Sequence, residues 1–161
     1  MSVENTQSSR YSPLEESINI GSHALGMVLS LFALFLLLTH PGLGDDIKAR
    51  ISFAIFGISL LVLYSASTFY HASDNPVRRA RLRVFDHAAI YVLIAGTYTP
   101  FTLITLNSQL GWILFFVSWG MALSGIILKL FFTGRYTLAS TLMYVVMGWL
   151  IVFAIKPMLA N

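Results

Sequence analysis

Five long apolar stretches alternate with short polar links along this chain. The stretches run over residues 18–39, 51–71, 84–106, 111–132 and 138–155, with links at 40–50, 72–83, 107–110 and 133–137. A helix needs about 20 apolar residues to cross a bilayer core, and each stretch is near that length. Links this short turn neighbouring helices antiparallel. The pattern predicts an all-α, multi-pass transmembrane helix bundle with five spans in this chain. It forms one transmembrane domain over residues 12–161, behind a polar tail at 1–11.

Composition agrees with that reading. The chain has 161 residues, 57% of them hydrophobic and 11% charged, with a mean hydropathy of +0.75. A soluble domain carries roughly 25% charged residues, so most of this surface faces lipid, and membrane lipids are the expected partners. The net charge is +3. Its basic residues gather in the second link, as Arg78, Arg79, Arg81 and Arg83, rather than on an amphipathic face with interleaved aromatics. That arrangement argues against nucleic acid. The absence of cysteine excludes disulfides, thiolate catalysis and cysteine-bound zinc. Glu15 and Glu16 precede a first stretch too long for a cleaved leader, and no small-residue cleavage site follows, so that stretch is expected to remain as a span.

Charge also orients the bundle. The four arginines mark the second link as cytoplasmic by the positive-inside rule. Lys129 and Arg135 fall on the same side. Lys48, Arg50 and Lys156 lie opposite, partly offset by Asp45 and Asp46. The N-terminus is therefore expected in the cytoplasm, and the end of the fifth span outside.

Polar groups at the span ends supply the candidate chemistry, because ionisable residues there are costly to bury. Ser67 and His71 stand at i and i+4, on one face at the cytoplasmic end of the second span, and Asp86 opens the third. Glu16, Asn19 and His23 share one face of the first span, at i, i+3 and i+7. They read as interhelical hydrogen-bond partners, worth only about 1 kcal/mol each in a membrane. All these positions fall within about two helical turns of the cytoplasmic interface. A neutral imidazole is a common metal ligand, and a carboxylate can orient it or a metal-bound water. On the residues alone, a metal site and a hydrogen-bonded interfacial histidine both stay open for His71. His87 lies about 100° round the helix from Asp86 and reads as packing or headgroup contact. His40 sits at the other membrane face, as a loop residue before Pro41.

Other features read structurally. Ser12-Pro13-Leu14-Glu15 offers an N-cap, a proline at the first helical position and a capping-box glutamate. Pro100, closing the run from Gly96, removes a backbone donor and predicts a kink. Gly120-x3-Ser124 predicts a close helix contact. Trp112 suits an interface, whereas Trp119 and Trp149 are expected to be packed.

Four motifs together resemble the hemolysin III family, the bacterial branch of the progestin and adiponectin receptor superfamily. They are Glu16-x2-Asn19-x3-His23-x2-Gly26, then Ser65-Ala66-Ser67-Thr68-Phe69-Tyr70-His71, then Phe85-Asp86-His87-Ala88-Ala89-Ile90-Tyr91, then Gly96-Thr97-Tyr98-Thr99-Pro100-Phe101. The likeness covers nearly the whole chain from Ser12 onward. It implies a seven-helix fold in the bacterial inner membrane, with a zinc site at the cytoplasmic leaflet. In that pattern His71 is a zinc ligand, and Asp86 and Ser67 are the candidate catalytic residues, Asp86 beside the zinc's water and Ser67 lining the site. The animal receptors are linked to ceramide hydrolysis, so the resemblance implies a zinc-dependent hydrolase of a lipid-like amide. A cytolytic protein, as the family name suggests, and a lipid sensor with structural zinc are the alternatives. Against pore formation, the spans lack a convertible amphipathic segment. The chain departs from the family in one respect. Relatives supply two further zinc histidines from a seventh helix, and no residue here matches them, so a chain truncated after the fifth helix is expected.

Overall fold

The computed structural model describes residues 11–131 and 137–156. Residues 1–10 of the polar tail, and Arg135 of the orientation argument, lie outside the described residues. The described residues are helical with no strand: α1 (Pro13–Thr39), α2 (Ile47–His71), α3 (Pro76–Pro100), α4 (Gln109–Phe131) and α5 (Thr137–Trp149). α1, α2, α4 and the stretch Pro76–Leu106 are long and apolar enough to cross a membrane; the apolar stretch Leu138–Phe153 is shorter. The chain is thus an all-α, multi-pass membrane bundle.

Its packing is the reverse of a soluble domain. Large apolar side chains such as Phe32, Phe35, Phe116 and Leu123 face outward, while the buried set is rich in Ser, Thr, Ala and Tyr. In lipid there is no hydrophobic gain from joining two apolar faces, so helices meet through small residues and hydrogen bonds. Tyr91, Ala95, Ala122 and Met147 form the centre of α3, α4 and α5 and are fully buried but for traces. The Tyr91 hydroxyl lies 2.7 Å from Ser140 Oγ, and Tyr144 donates to the His87 carbonyl at 2.8 Å. Trp119 Nε1 donates to Thr99 Oγ1 at 3.1 Å.

The start of α1 carries the expected capping box, with Ser12 and Glu15 each accepting from the other's backbone N–H. The second link differs from expectation. Only residues 72–75 are loop, and all four arginines lie on the first turns of α3. Asn75 makes that possible: its side chain accepts from the N–H groups of Val77 and Arg78, both at 3.0 Å, and Pro76 follows at the first helical position. Arginine is itself a good helix former, so charge did not mark a loop.

Pro100 acts one turn later than a simple kink. α3 runs through it and continues as a π-helical turn over Phe101–Leu106, ending on a left-handed Asn107 with φ 37°. The proline leaves a carbonyl one turn back without its amide partner. The wider turn accommodates the mismatch, and nearby threonine hydroxyls bond to backbone carbonyls: Thr99 to Ala95 at 2.9 Å, and Thr102 to Tyr98 at 2.9 Å.

Two packing expectations are corrected. Gly120 has no neighbour where a side chain would point. The buried face of α4 instead carries Gly111, Ser118, Ala122 and Gly125; the small residues were read on the right helix but the wrong face. Trp149 is 67% exposed and faces outward, unlike Trp119, which packs against the core.

Candidate functional site

The candidate chemistry lies where α1 begins, α2 ends and α3 begins. His71 is the last residue of α2 and is mostly buried; its side chain is 9% exposed. Its Nδ1 lies 2.7 Å from Oε2 of Glu16, in the first turn of α1. The other Glu16 oxygen is held by the guanidinium of Arg79, from the first turn of α3. One carboxylate therefore joins three helices.

Arg79 is itself anchored. Its Nη1 donates to the carbonyls of Tyr70, His71 and Ser73, at 3.3, 3.2 and 3.3 Å. Tyr70 and His71 close α2 and Ser73 lies just beyond it, where helix carbonyls run short of intrahelical partners; the Tyr70 carbonyl also accepts from Ser73 N–H at 3.3 Å. The guanidinium also lies 4.7 Å from the centre of the Tyr70 ring, a cation–π contact. A cation at a helix C-terminus is favoured by the macrodipole as well.

The ring of His71 is confined on its faces. His23 stacks against it with centroids 5.8 Å apart and planes 6° from parallel, and Tyr70 leans on it at 4.7 Å. Nδ1 of His23 is buried without a hydrogen-bond partner. A cavity of about 290 Å³ opens beside His71, lined also by Tyr11, Glu16, Ile20, Asp74 and Arg79.

Ser67 is buried one turn before His71, on the same side of α2. Asp86 is not brought to either of them by a bond. It lies ten residues beyond Pro76, roughly 15 Å along α3 by the helical rise. Among the described residues no hydrogen bond or ion pair joins it to His71 or Ser67. His40 caps the short turn after α1, its Nδ1 accepting from Gly42 N–H at 3.0 Å. His87 contributes its backbone carbonyl to packing, as the acceptor for Tyr144.

The donor set fits the zinc that the resemblance implies only in part. His71 suits a ligand, because a carboxylate engages one ring nitrogen and the other has no hydrogen-bond partner among the described residues. Those residues hold no group of three or more His, Cys, Asp or Glu side chains that could hold a metal ion. The fit is that of one contributed ligand, not of a closed site.

Sequence reasoning placed Glu16 and His23 at the right depth but missed Arg79, which it counted only as topological charge. The signal lay in register: Arg79 stands fourth after the Asn75 cap, where an arginine can fold back over the end of the preceding helix.

The sequence model of the haemolysin-III-related family matches residues 11–161. "Hemolysin-3" of Bacillus cereus is 46% identical over 147 residues, 91% of this chain and 67% of that protein. "Hemolysin-3 homolog" of Bacillus subtilis (strain 168) is 44% identical over 147 residues, 91% of this chain and 69% of that protein. The human "Monocyte to macrophage differentiation factor" is 29% identical over 153 residues, 87% of this chain and 60% of that protein. The chain thus spans about two thirds of the two Bacillus relatives and less of the human one. No solved structure matches it.

Proposed function

This chain belongs to the haemolysin-III-related family, and from that premise we propose that its His71 end is the share of a zinc site contributed by α1 to α3. The full site would hydrolyse a lipid-like amide from the cytoplasmic leaflet of the bacterial inner membrane. The observation that carries the reading is the Glu16 carboxylate at 2.7 Å from His71 Nδ1, the arrangement by which proteins orient a metal-binding imidazole. A zinc ion, when bound, supplies Lewis-acid polarisation of a carbonyl and a water whose pKa falls to about 7.

The chain's own residues divide the remaining work. His71 would hold the ion, with Glu16 engaging its Nδ1. Ser67, one turn away on the same face of α2, offers a hydroxyl to a developing oxyanion. Asp86, the carboxylate further along α3, serves as the base that accepts a proton. The outward apolar faces of the helices support a substrate that reaches the site from the bilayer.

The names of the Bacillus relatives favour a second reading, cytolysis. In a third, the zinc is structural and the protein senses lipid. The test uses full-length protein in nanodiscs: zinc content for wild type and His71→Ala, amide hydrolysis for wild type and Asp86→Asn, and release of dye from lipid vesicles. Zinc near one per chain that is lost with His71, with hydrolysis lost in Asp86→Asn, supports the proposal. Zinc that survives His71→Ala overturns it. Vesicle leakage with no turnover selects cytolysis, and bound zinc with neither activity selects the sensor.

A further inference from the structure

Glu16 is the one carboxylate in contact with an imidazole among the described ion pairs, and its place in the fold is unusual. A carboxylate engaged by both an arginine and a histidine has two helices' worth of reason to stay still. We infer that Glu16 is the positioning residue of His71, selecting the tautomer with the proton on Nδ1 and leaving Nε2 as the lone-pair nitrogen. This rests on the reading of His71 as a metal ligand.

The argument is one of donors and acceptors. An ionised carboxylate only accepts hydrogen bonds, so the short contact to His71 needs the ring to donate from Nδ1. A neutral imidazole with its proton on Nδ1 carries its lone pair on Nε2, and that nitrogen is then the one able to bind a cation. Without Glu16 the ring could carry its proton on either nitrogen, and the Nε2–H form cannot ligate through that atom.

Arg79 makes the selection firm. It holds the second Glu16 oxygen, so the carboxylate cannot rotate away from His71. It is itself tied to three carbonyls near the end of α2, one of them that of His71. The anchor of the carboxylate and the backbone of the histidine therefore move together. Stacking by His23 and the tilted Tyr70 ring fixes the plane of the imidazole. The proton position is thus set from α1, its support comes from α3, and the ligand is on α2.

The test separates positioning from stability and from the zinc reading. Full-length protein labelled with ¹⁵N-histidine is reconstituted metal-free in nanodiscs, in mildly alkaline buffer, as wild type, Glu16→Ala and Glu16→Gln. His71→Ala identifies the His71 signals among those of the other histidines. Nitrogen shifts distinguish a protonated ring nitrogen from one with a lone pair. Wild type is expected to show Nδ1–H at His71. Glu16→Gln should keep it only in part, because its single amide oxygen replaces one of the two carboxylate oxygens that His71 and Arg79 share, and Glu16→Ala should move the proton towards Nε2.

Zinc affinity, measured by chelator competition, should fall roughly 10–100-fold in Glu16→Ala and much less in Glu16→Gln. Both variants leave Arg79 without its charge partner, so a loss of melting temperature common to both is the structural share. The split between them is the positioning share. Nε2–H in the wild type, or a Glu16→Ala ring that stays Nδ1–H, overturns the inference whatever zinc does. Zinc binding unaffected in His71→Ala overturns the zinc reading instead, while the nitrogen shifts still decide the role of Glu16.

Discussion

The hydroxyl of Tyr98 sits inside the hydrogen-bond ladder of the last helical segment, accepting from Ile151 N–H at 2.8 Å and donating to the Gly148 carbonyl at 2.9 Å. Those two backbone groups are three residues apart, the spacing at which they would otherwise bond each other in a 3₁₀ turn. The α-helical part of α5 ends at Trp149, and a 3₁₀ segment follows over Leu150–Phe153. A side chain inserted in the ladder is a recognised cause of such a break. In hydrocarbon neither backbone group can turn to water instead.

Tyr98→Phe should therefore cost stability without unfolding the protein. Removing the hydroxyl leaves a donor and an acceptor short of a partner, at about 1–3 kcal/mol. Thermal unfolding in detergent should show a lower midpoint at unchanged helix content. A wild-type midpoint would mean that the 3₁₀ bond re-forms directly and the tyrosine is incidental.

Arg79→Ala should be more severe. It removes one partner of a pair whose side chains are only 11% and 17% exposed, and it takes a donor from the carbonyls of Tyr70, His71 and Ser73. Breaking a buried pair from one side costs about 3–5 kcal/mol, and these groups are close to buried. Arg79→Lys should recover little, because an ammonium cannot span the carboxylate and the helix end in one plane. Guanidine or thermal unfolding of both variants checks this, and a full rescue by lysine would refute the geometric account.

How far the sequence reaches is clearest at this end of the bundle. Apolar length located the spans, and periodicity placed Glu16, Ser67 and His71 at one depth, because both signals are local. The capping box of Ser12 and Glu15 was legible for the same reason. The partnership of Glu16 with Arg79 was not, since it depends on where α3 begins. A cap at Asn75 set that start eight residues before the apolar run at Val84. This shift also put Asp86 ten residues inside the helix rather than at its start. The wrong face of α4 had a similar cause: Gly120-x3-Ser124 and Ser118-x3-Ala122 are equally good small-residue patterns, and only the neighbouring helices choose between them.

Gly125 is predicted to be intolerant of even one methyl group. A Cβ there would run into the ring of Tyr91, which has no exposed surface and is held through its hydroxyl to Ser140. The ring cannot swing aside, so Gly125→Ala should cost about 1–3 kcal/mol by overpacking. Gly120→Ala, where nothing lies within 4 Å, is the control on the same helix and should be neutral. Equal melting temperatures for the two variants would show that α3 and α4 separate more easily than their packing implies.

The proposed orientation gives the last prediction, and the absence of cysteine from residues 1–161 helps to read it. Arg78 and Arg81 are exposed on the first turns of α3, and Asp45 is exposed in the link between α1 and α2. These positions lie at opposite ends of α2, one full span apart. With the arginine end in the cytoplasm, Asp45→Cys should react with a membrane-impermeant maleimide once the cell envelope, but not the inner membrane, is opened. Arg78→Cys should react only after the inner membrane is breached. The opposite pattern would invert the bundle, and would move the His71 site to the outer leaflet along with it. Equal labelling of both from one side would break the antiparallel arrangement of α2 itself, which the contacts of Arg79 with the end of α2 and of Lys48 Nζ with Asn107 at 2.6 Å both oppose.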